Sequence, residues 1–145
     1  MRVRELVDGQ RVVTLGPHEE VAQAVRLLFA HNIGGMPVVA PDGGVVGFIG
    51  ERDIVKTMNG HFGPVRRMLV HEVMRPAAFC DADDSVETVM RRMTNERVRH
   101  LVVRDDSGQV RGVVSVGDMV KLRLSDLEME TAVLRDYVAA HRASR

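Results

Sequence analysis

Tryptophan is absent from this chain, tyrosine occurs once and phenylalanine four times, so only 3% of its residues are aromatic. Its core must be filled by valine and leucine, with help from nine methionines, which pack irregular gaps more often than they build sites. Cysteine is nearly missing as well. Cys80 stands alone, and one thiol cannot form an internal bridge, so a reducing, cytoplasmic setting is expected. An excess of one charge is lacking too: twenty basic residues balance twenty acidic ones. That balance argues against a general nucleic-acid or membrane-surface binder. No apolar run has the length of a signal peptide or a spanning helix, and charge begins at Arg2, Arg4 and Glu5. His18, His31, His61, His71, His100 and His141 show no metal-ligand spacing, and His71-Glu72 lacks the second histidine of a helical zinc site. No metal site is expected. Without a Walker loop or a nucleophile–base pair, no catalytic residue is expected either. Cys80 falls in a strand pattern and reads as a small buried hydrophobe.

What is present is an ordinary globular composition, 45% hydrophobic and 28% charged, over 145 residues. That length suits one compact domain or two very small ones, and can bury about two-thirds of the unfolded surface. The chain also repeats itself. Residues Val21 to Lys56 align without a gap on Val86 to Lys121, at an offset of 65 (86 − 21). Val21, Arg26, Val38, Gly43, Val45, Gly47, Asp53, Val55 and Lys56 each meet their own residue type. Upstream, Val3 to Val7 resembles Val70 to Met74 at an offset of 67 (70 − 3), so a two-residue indel lies between.

Each copy carries the same local signals. A short apolar stretch (Val12 to Leu15; Ala77 to Cys80) leads to polar residues fit for a helix start, then to apolar residues at helical spacing. A strand follows (Met36 to Val39; His100 to Val103), then a glycine turn (Asp42-Gly43-Gly44; Asp106-Ser107-Gly108). A second strand (Val45 to Ile49; Val110 to Ser115) ends where a helix begins, near Asp53 or Asp118. Each copy is therefore β-α-β-β-α. A small sheet covered by helices on one face leaves the other face open, so the two copies should pack together. Between the copies, Val65 to Met74 reads as one short amphipathic helix. In the tail, Leu127, Leu134 and Val138 share a helical face suited to docking or dimer packing.

The repeated unit, ending in Gly47-Phe-Ile-Gly50-Glu-Arg-Asp53 and Gly112-Val-Val-Ser115-Val-Gly-Asp118, resembles the cystathionine-β-synthase (CBS) domain, which occurs in pairs called Bateman modules. The resemblance covers nearly the whole chain. It implies an α+β fold of two β-α-β-β-α repeats packed as a pseudo-twofold pair. Residues 1–62 would form the first domain, 63–124 the second and 125–145 a C-terminal helix. It also implies a non-catalytic sensor that binds an adenosine-containing molecule between the repeats: AMP, ADP, ATP, NAD(H) or S-adenosylmethionine. That ligand would be regulatory, not a cofactor. A homodimer built as a flat disc by paired helices is the implied assembly. The alternative is a scaffold or regulatory subunit with vestigial clefts, acting on a protein partner.

The physical reading stands beside the resemblance. An ionised aspartate in a helix's first turn can accept two hydrogen bonds from a ribose, and a serine at the strand end can meet a phosphate near the helix N-terminus. The same residues can equally serve as caps. By the resemblance, Asp118 and Ser115 face Val12, Val13, Thr14, Ile33, Gly34 and Gly35. Asp53 faces Ala77, Ala78, Val98, Arg99 and His100, with Arg99 and His100 at phosphate-contacting positions. Gly50 replaces the family's Ser or Thr, which costs the Asp53 cleft a hydroxyl. Gly34 stands opposite Arg99, which costs the Asp118 cleft a cation.

Overall fold

The computed structural model describes residues 1–143. The glycine turns form as their sequence requires. Gly43 and Gly108 adopt φ of +91° and +81°, which side chains resist, and each closes a hairpin. In the first repeat β1 (Gly35–Val39) pairs antiparallel with β2 (Val45–Gly50); in the second, β4 (His100–Arg104) pairs with β5 (Val110–Ser115). Both hairpins carry a register shift at the same place, Val38/Val39 and Val103/Arg104.

The helices repeat as faithfully. α2 (Val21–His31) and α5 (Val86–Glu96) end on left-handed Asn32 and Arg97, with φ of 51° and 55°. They bury Val21, Ala24 and Leu28 in one copy and Val86, Val89 and Met93 in the other. α3 (Glu51–Gly60) and α6 (Val116–Ala143) start directly from the hairpins' last strands. The expected boundary at 124/125 therefore lies inside one continuous helix. No helix is long and apolar enough to cross a membrane among the described residues.

The first strand differs between copies. β3 (Phe79–Asp81) pairs in parallel with β4, whereas the expected Val12–Leu15 strand shrinks to one bridge, Leu15 to Val38. Proline explains the loss. In the second repeat Val102 N–H donates to Ala78 O and Ala82 N–H to Arg104 O, both at 2.8 Å. Pro37 and Pro17 occupy the equivalent positions and have no N–H to give.

The linker corrects a second expectation. Val65 to Met74 is a 3₁₀ turn (Val65–Arg67) followed by α4 (Val70–Val73), not one helix. Met68 and Leu69 stay extended because they pair with the start of α2: Val21 N–H donates to Met68 O at 2.8 Å, and Leu69 bridges Glu20. Tertiary pairing overrides local helical periodicity here.

Two cores result, and each borrows a segment from outside its own repeat. α1 (Val3–Val7) plugs Val3 and Val7 into the second core, beside Cys80, Val89, Leu101 and Val114. Val65, Val70 and Val73 of the linker plug into the first, beside Val21, Met36 and Ile49. The attachments match: Val3 N–H donates to Asp84 O at 2.9 Å, and Val70 N–H to Glu19 O at 2.8 Å. Burial of Cys80 pushes its thiol pKa up to about 11, as suits a core residue. Val3→Ala and Val70→Ala are each expected to lower the unfolding free energy by about 2 kcal/mol. Urea denaturation checks this; an unchanged midpoint for either variant would show that its segment is not part of a core.

Candidate ligand-binding cleft

The strand-to-helix junction of the second repeat is held by two reciprocal bonds. Asp118 N–H donates to Ser115 Oγ at 3.1 Å, and Ser115 N–H donates to Asp118 Oδ2 at 2.9 Å. This is a capping box. Asp118 is exposed and, among the described residues, carries no ion pair and keeps its other carboxylate oxygen without a partner.

Facing this junction is the stretch that crosses from one repeat to the other. Gln10 pins it to β5: Val113 N–H donates to Gln10 Oε1 at 2.7 Å, and Gln10 Nε2 donates to Val113 O at 3.2 Å. Five residues on, Leu15 pairs with Val38 in the first repeat. Val12 and Val13 span the gap between. With Ile33, Gly34 and Gly35 they enclose, against Ser115 and Asp118, a cleft of about 300 Å³. That is the lower end of the range for small-molecule sites. Gln10, Arg11, Asn32, His100 and Lys121 also line it. Arg11 and Lys121 have no ion-pair partner among the described residues.

Of the two glycines in this wall, Gly35 is needed for packing, whereas a side chain on Gly34 would only touch its neighbour. A Cβ on Gly35 would lie 2.4 Å from the Phe48 ring, and one on Gly34 would lie 3.4 Å from His100 Nε2. His100 packs on Phe48 with ring centroids 5.1 Å apart, and its Nδ1 is buried with no hydrogen-bond partner. Burial lowers its pKa below the ordinary 6.5; Arg75 and Arg99 reinforce this, while Asp118 and Asp53 oppose it. A lone pair on Nδ1 costs less here than an orphaned N–H, so the neutral ring keeps its proton on Nε2.

The first repeat's junction is already occupied. Gly50 N–H donates to Asp53 Oδ2 at 2.8 Å, and Arg75 Nε lies 3.3 Å from the same oxygen. Asp53's side chain is only 14% exposed. The Arg75 guanidinium also sits over the Phe48 ring, at 5.3 Å from its centroid. A Cβ on Gly50 would lie 3.0 Å from Gly34 O, which accepts the Glu51 N–H at 3.0 Å, so a side chain there asks that carbonyl to give by a few tenths of an ångström.

With the geometry in view, the chain can be compared with known proteins. The CBS domain profile matches residues 3–60 and 70–125. The chain belongs to the CBS-domain family. A CBS-domain-containing protein from Agrobacterium tumefaciens is 34% identical, with a TM-score of 0.78 over 84% of this chain and 92% of that one. The CBS domain-containing protein YhcV of Bacillus subtilis is 28% identical over 120 residues, 80% of this chain and 81% of its own. The CBS domain pair of protein MJ0100, solved with 5-methylthioadenosine and S-adenosyl-L-methionine, is 25% identical with a TM-score of 0.74, over 84% of this chain and 98% of that one.

In this CBS pair the residues named from sequence fall into two groups. Val12, Val13, Ile33, Gly34, Gly35, Ser115 and Asp118 line one cleft, while Thr14 is exposed and does not line it. His100, expected on the Asp53 side, lines the Asp118 cleft and also packs on Phe48, the ring that Arg75 covers beside Asp53. Ala78 and Val98 pack against the second core, and Ala77 is half-buried. Arg99 is exposed and makes no side-chain hydrogen bond or ion pair among the described residues; its carbonyl accepts the Val116 N–H at 3.0 Å. The cation missing opposite Arg99 is supplied from elsewhere, by Arg11 and Lys121. Sequence held a signal for Lys121, three residues after Asp118 and so on the same helix face.

A lowered histidine pKa means the unfolded chain binds the proton more readily. Stability is therefore greatest above 6.5, His100's ordinary value, and falls as the pH drops through it toward the folded-state value. His100→Gln should flatten this part of the profile in thermal melts between about pH 7.5 and about pH 5.5. An unaltered slope would show that His100 is not the group responsible.

Proposed function

We propose that this CBS pair is a non-catalytic sensor that binds one adenosine-containing molecule of mononucleotide size in the Asp118 cleft. The observation that carries this reading is Asp118 itself: exposed at a cleft and, among the described residues, without an ion pair and with one oxygen uncommitted. Its carboxylate accepts the two ribose hydroxyls. Ser115 Oγ and the Gly117 N–H in the first turn of α6 meet the phosphate, with Arg11 and Lys121 neutralising its charge.

The base enters between Val12, Val13 and Ile33, an apolar slot with the Gly34-Gly35 backbone at its side. Val13 O lacks the partner that Pro37 would give were it another residue, and so is open to an exocyclic amine. A volume of about 300 Å³ favours AMP or a similar nucleoside over a dinucleotide such as NAD(H). The ion pair between Asp53 and Arg75 supports a vestigial role for the other cleft alone. Binding becomes regulation only where the ligand prefers one of two conformations, and a cleft walled by both repeats can supply that difference.

AMP at 100 times its Kd should stabilise the protein by about 2.7 kcal/mol, visible as a raised melting temperature. Asp118→Asn keeps an oxygen for the Ser115 N–H but removes the charge, so it should weaken AMP by about tenfold or more. Its ligand-free melting temperature should stay near that of the parent. No stabilisation by AMP, ATP or S-adenosylmethionine would instead favour a scaffold with two vestigial clefts.

A further inference from the structure

Arg75 holds the second crossing in place without using its side chain. Phe48 N–H donates to Arg75 O at 2.8 Å, and Arg75 N–H donates to Phe48 O at 2.9 Å. At the first crossing Gln10, 65 residues earlier (75 − 10), needs its side chain for the same attachment to Val113. The Arg75 side chain is therefore free for other use. Its Nε lies 3.3 Å from Asp53 Oδ2, and its guanidinium lies 5.3 Å from the centre of the Phe48 ring. Asp53 and Phe48 answer to Asp118 and Val113, at the same offset of 65 (118 − 53; 113 − 48), and both counterparts line the first cleft. By that pseudo-symmetry the guanidinium stands inside the second cleft, on its carboxylate.

Much of a nucleotide site survives around it. Ala77, Ala78 and Val98 answer to Val12, Val13 and Ile33, so the apolar wall is kept with smaller side chains. α3 starts at Glu51 as α6 starts at Val116. Lys56 answers to Lys121, and Arg99, in the place of Gly34, adds a cation. Both are exposed, and neither has an ion-pair partner among the described residues. Gly50 lacks the Ser115 hydroxyl, and the carboxylate is taken.

We propose that Arg75 is an autoinhibitory side chain, an occupant supplied by the chain itself that holds the second cleft shut against nucleotides. A guanidinium beside Asp53 cancels the charge with which that carboxylate would accept ribose hydroxyls. A nucleotide must displace it before binding, so its apparent affinity falls with the fraction of time that the guanidinium is away. The Arg75 side chain is 43% exposed, and solvent screens such a pair, so the contact is a latch that can open. A latched cleft differs from one that has lost its function outright: only the latched one gains affinity when Arg75 is removed. The class of ligand, adenosine-containing, rests on the proposed function.

Calorimetric titration with AMP tests the latch in a chain whose first cleft is weakened by Asp118→Asn. Adding Arg75→Gln should tighten AMP binding by about tenfold or more. Adding Asp53→Asn to that double variant should abolish the gain. Arg75→Met, which keeps an unbranched stem beside Phe48, should act as Arg75→Gln does and serves in its place if the melting temperature shows that glutamine disturbs the fold. Equal affinity with and without the Arg75 replacement would overturn the proposal, and so would a gain that survives Asp53→Asn. Failure of the proposed function looks different. Asp118→Asn alone would then bind AMP no more weakly than the parent, while the Arg75 comparison would still read the second cleft.

Discussion

The crossing of two short segments between the repeats is the constraint on which the rest of this structure depends. Val3 and Val7 complete the second core, and Val65, Val70 and Val73 complete the first. Neither core is closed by its own sheet and helices alone, so each repeat is stable only with a piece of chain that must then cross back. The crossing after α1 carries residues 10–13 past Ser115 and Asp118 before Leu15 joins the first hairpin. A cleft therefore forms where the chain changes sides. The apolar packing that closes a core also sets the wall of a polar site.

Pseudo-symmetry builds two such crossings, and side-chain differences then make them unequal. After α1 the pin is Gln10, whose side chain bonds β5 and leaves the cleft open. After α4 the equivalent residue is Arg75, whose backbone bonds Phe48 in both directions at 2.8 and 2.9 Å, while its guanidinium covers the Phe48 ring and pairs with Asp53. One crossing presents a carboxylate awaiting partners, the other a carboxylate already provided for. His100 stands between them. It lines the first cleft and packs on Phe48 at the edge of the second.

The sequence made the repeat legible because strand, turn and helix signals recur at one fixed offset, and local signals are what a sequence states most directly. The hairpins, α2, α5 and the junctions at Asp53 and Asp118 all follow from it. The exchange of α1 and α4 was not legible: the two stretches resemble each other in sequence, but nothing local says which core they enter. The Val12–Leu15 strand reads well as a pattern yet fails in the ladder, where Pro17 and Pro37 remove two donors whose partners are distant in sequence. His100 illustrates the same limit for the site. A strand-start histidine is visible in the sequence, but the direction of its ring depends on Phe48, 52 residues away (100 − 48). Gly50 reads as a lost hydroxyl; in the structure a Cβ there would also be tightly placed, 3.0 Å from the Gly34 carbonyl.

Under the proposed function one cleft, and not its pseudo-symmetric twin, takes the nucleotide. Backbone amide NMR during titration with AMP tests it residue by residue. Shifts should concentrate at Gln10 to Val13, at Asn32 to Gly35 and from Ser115 to Lys121, and should leave Asp53, Arg75 and Ala77 nearly unmoved. Shifts centred on Asp53 and Arg75, or no shifts with AMP in large excess, would contradict the account.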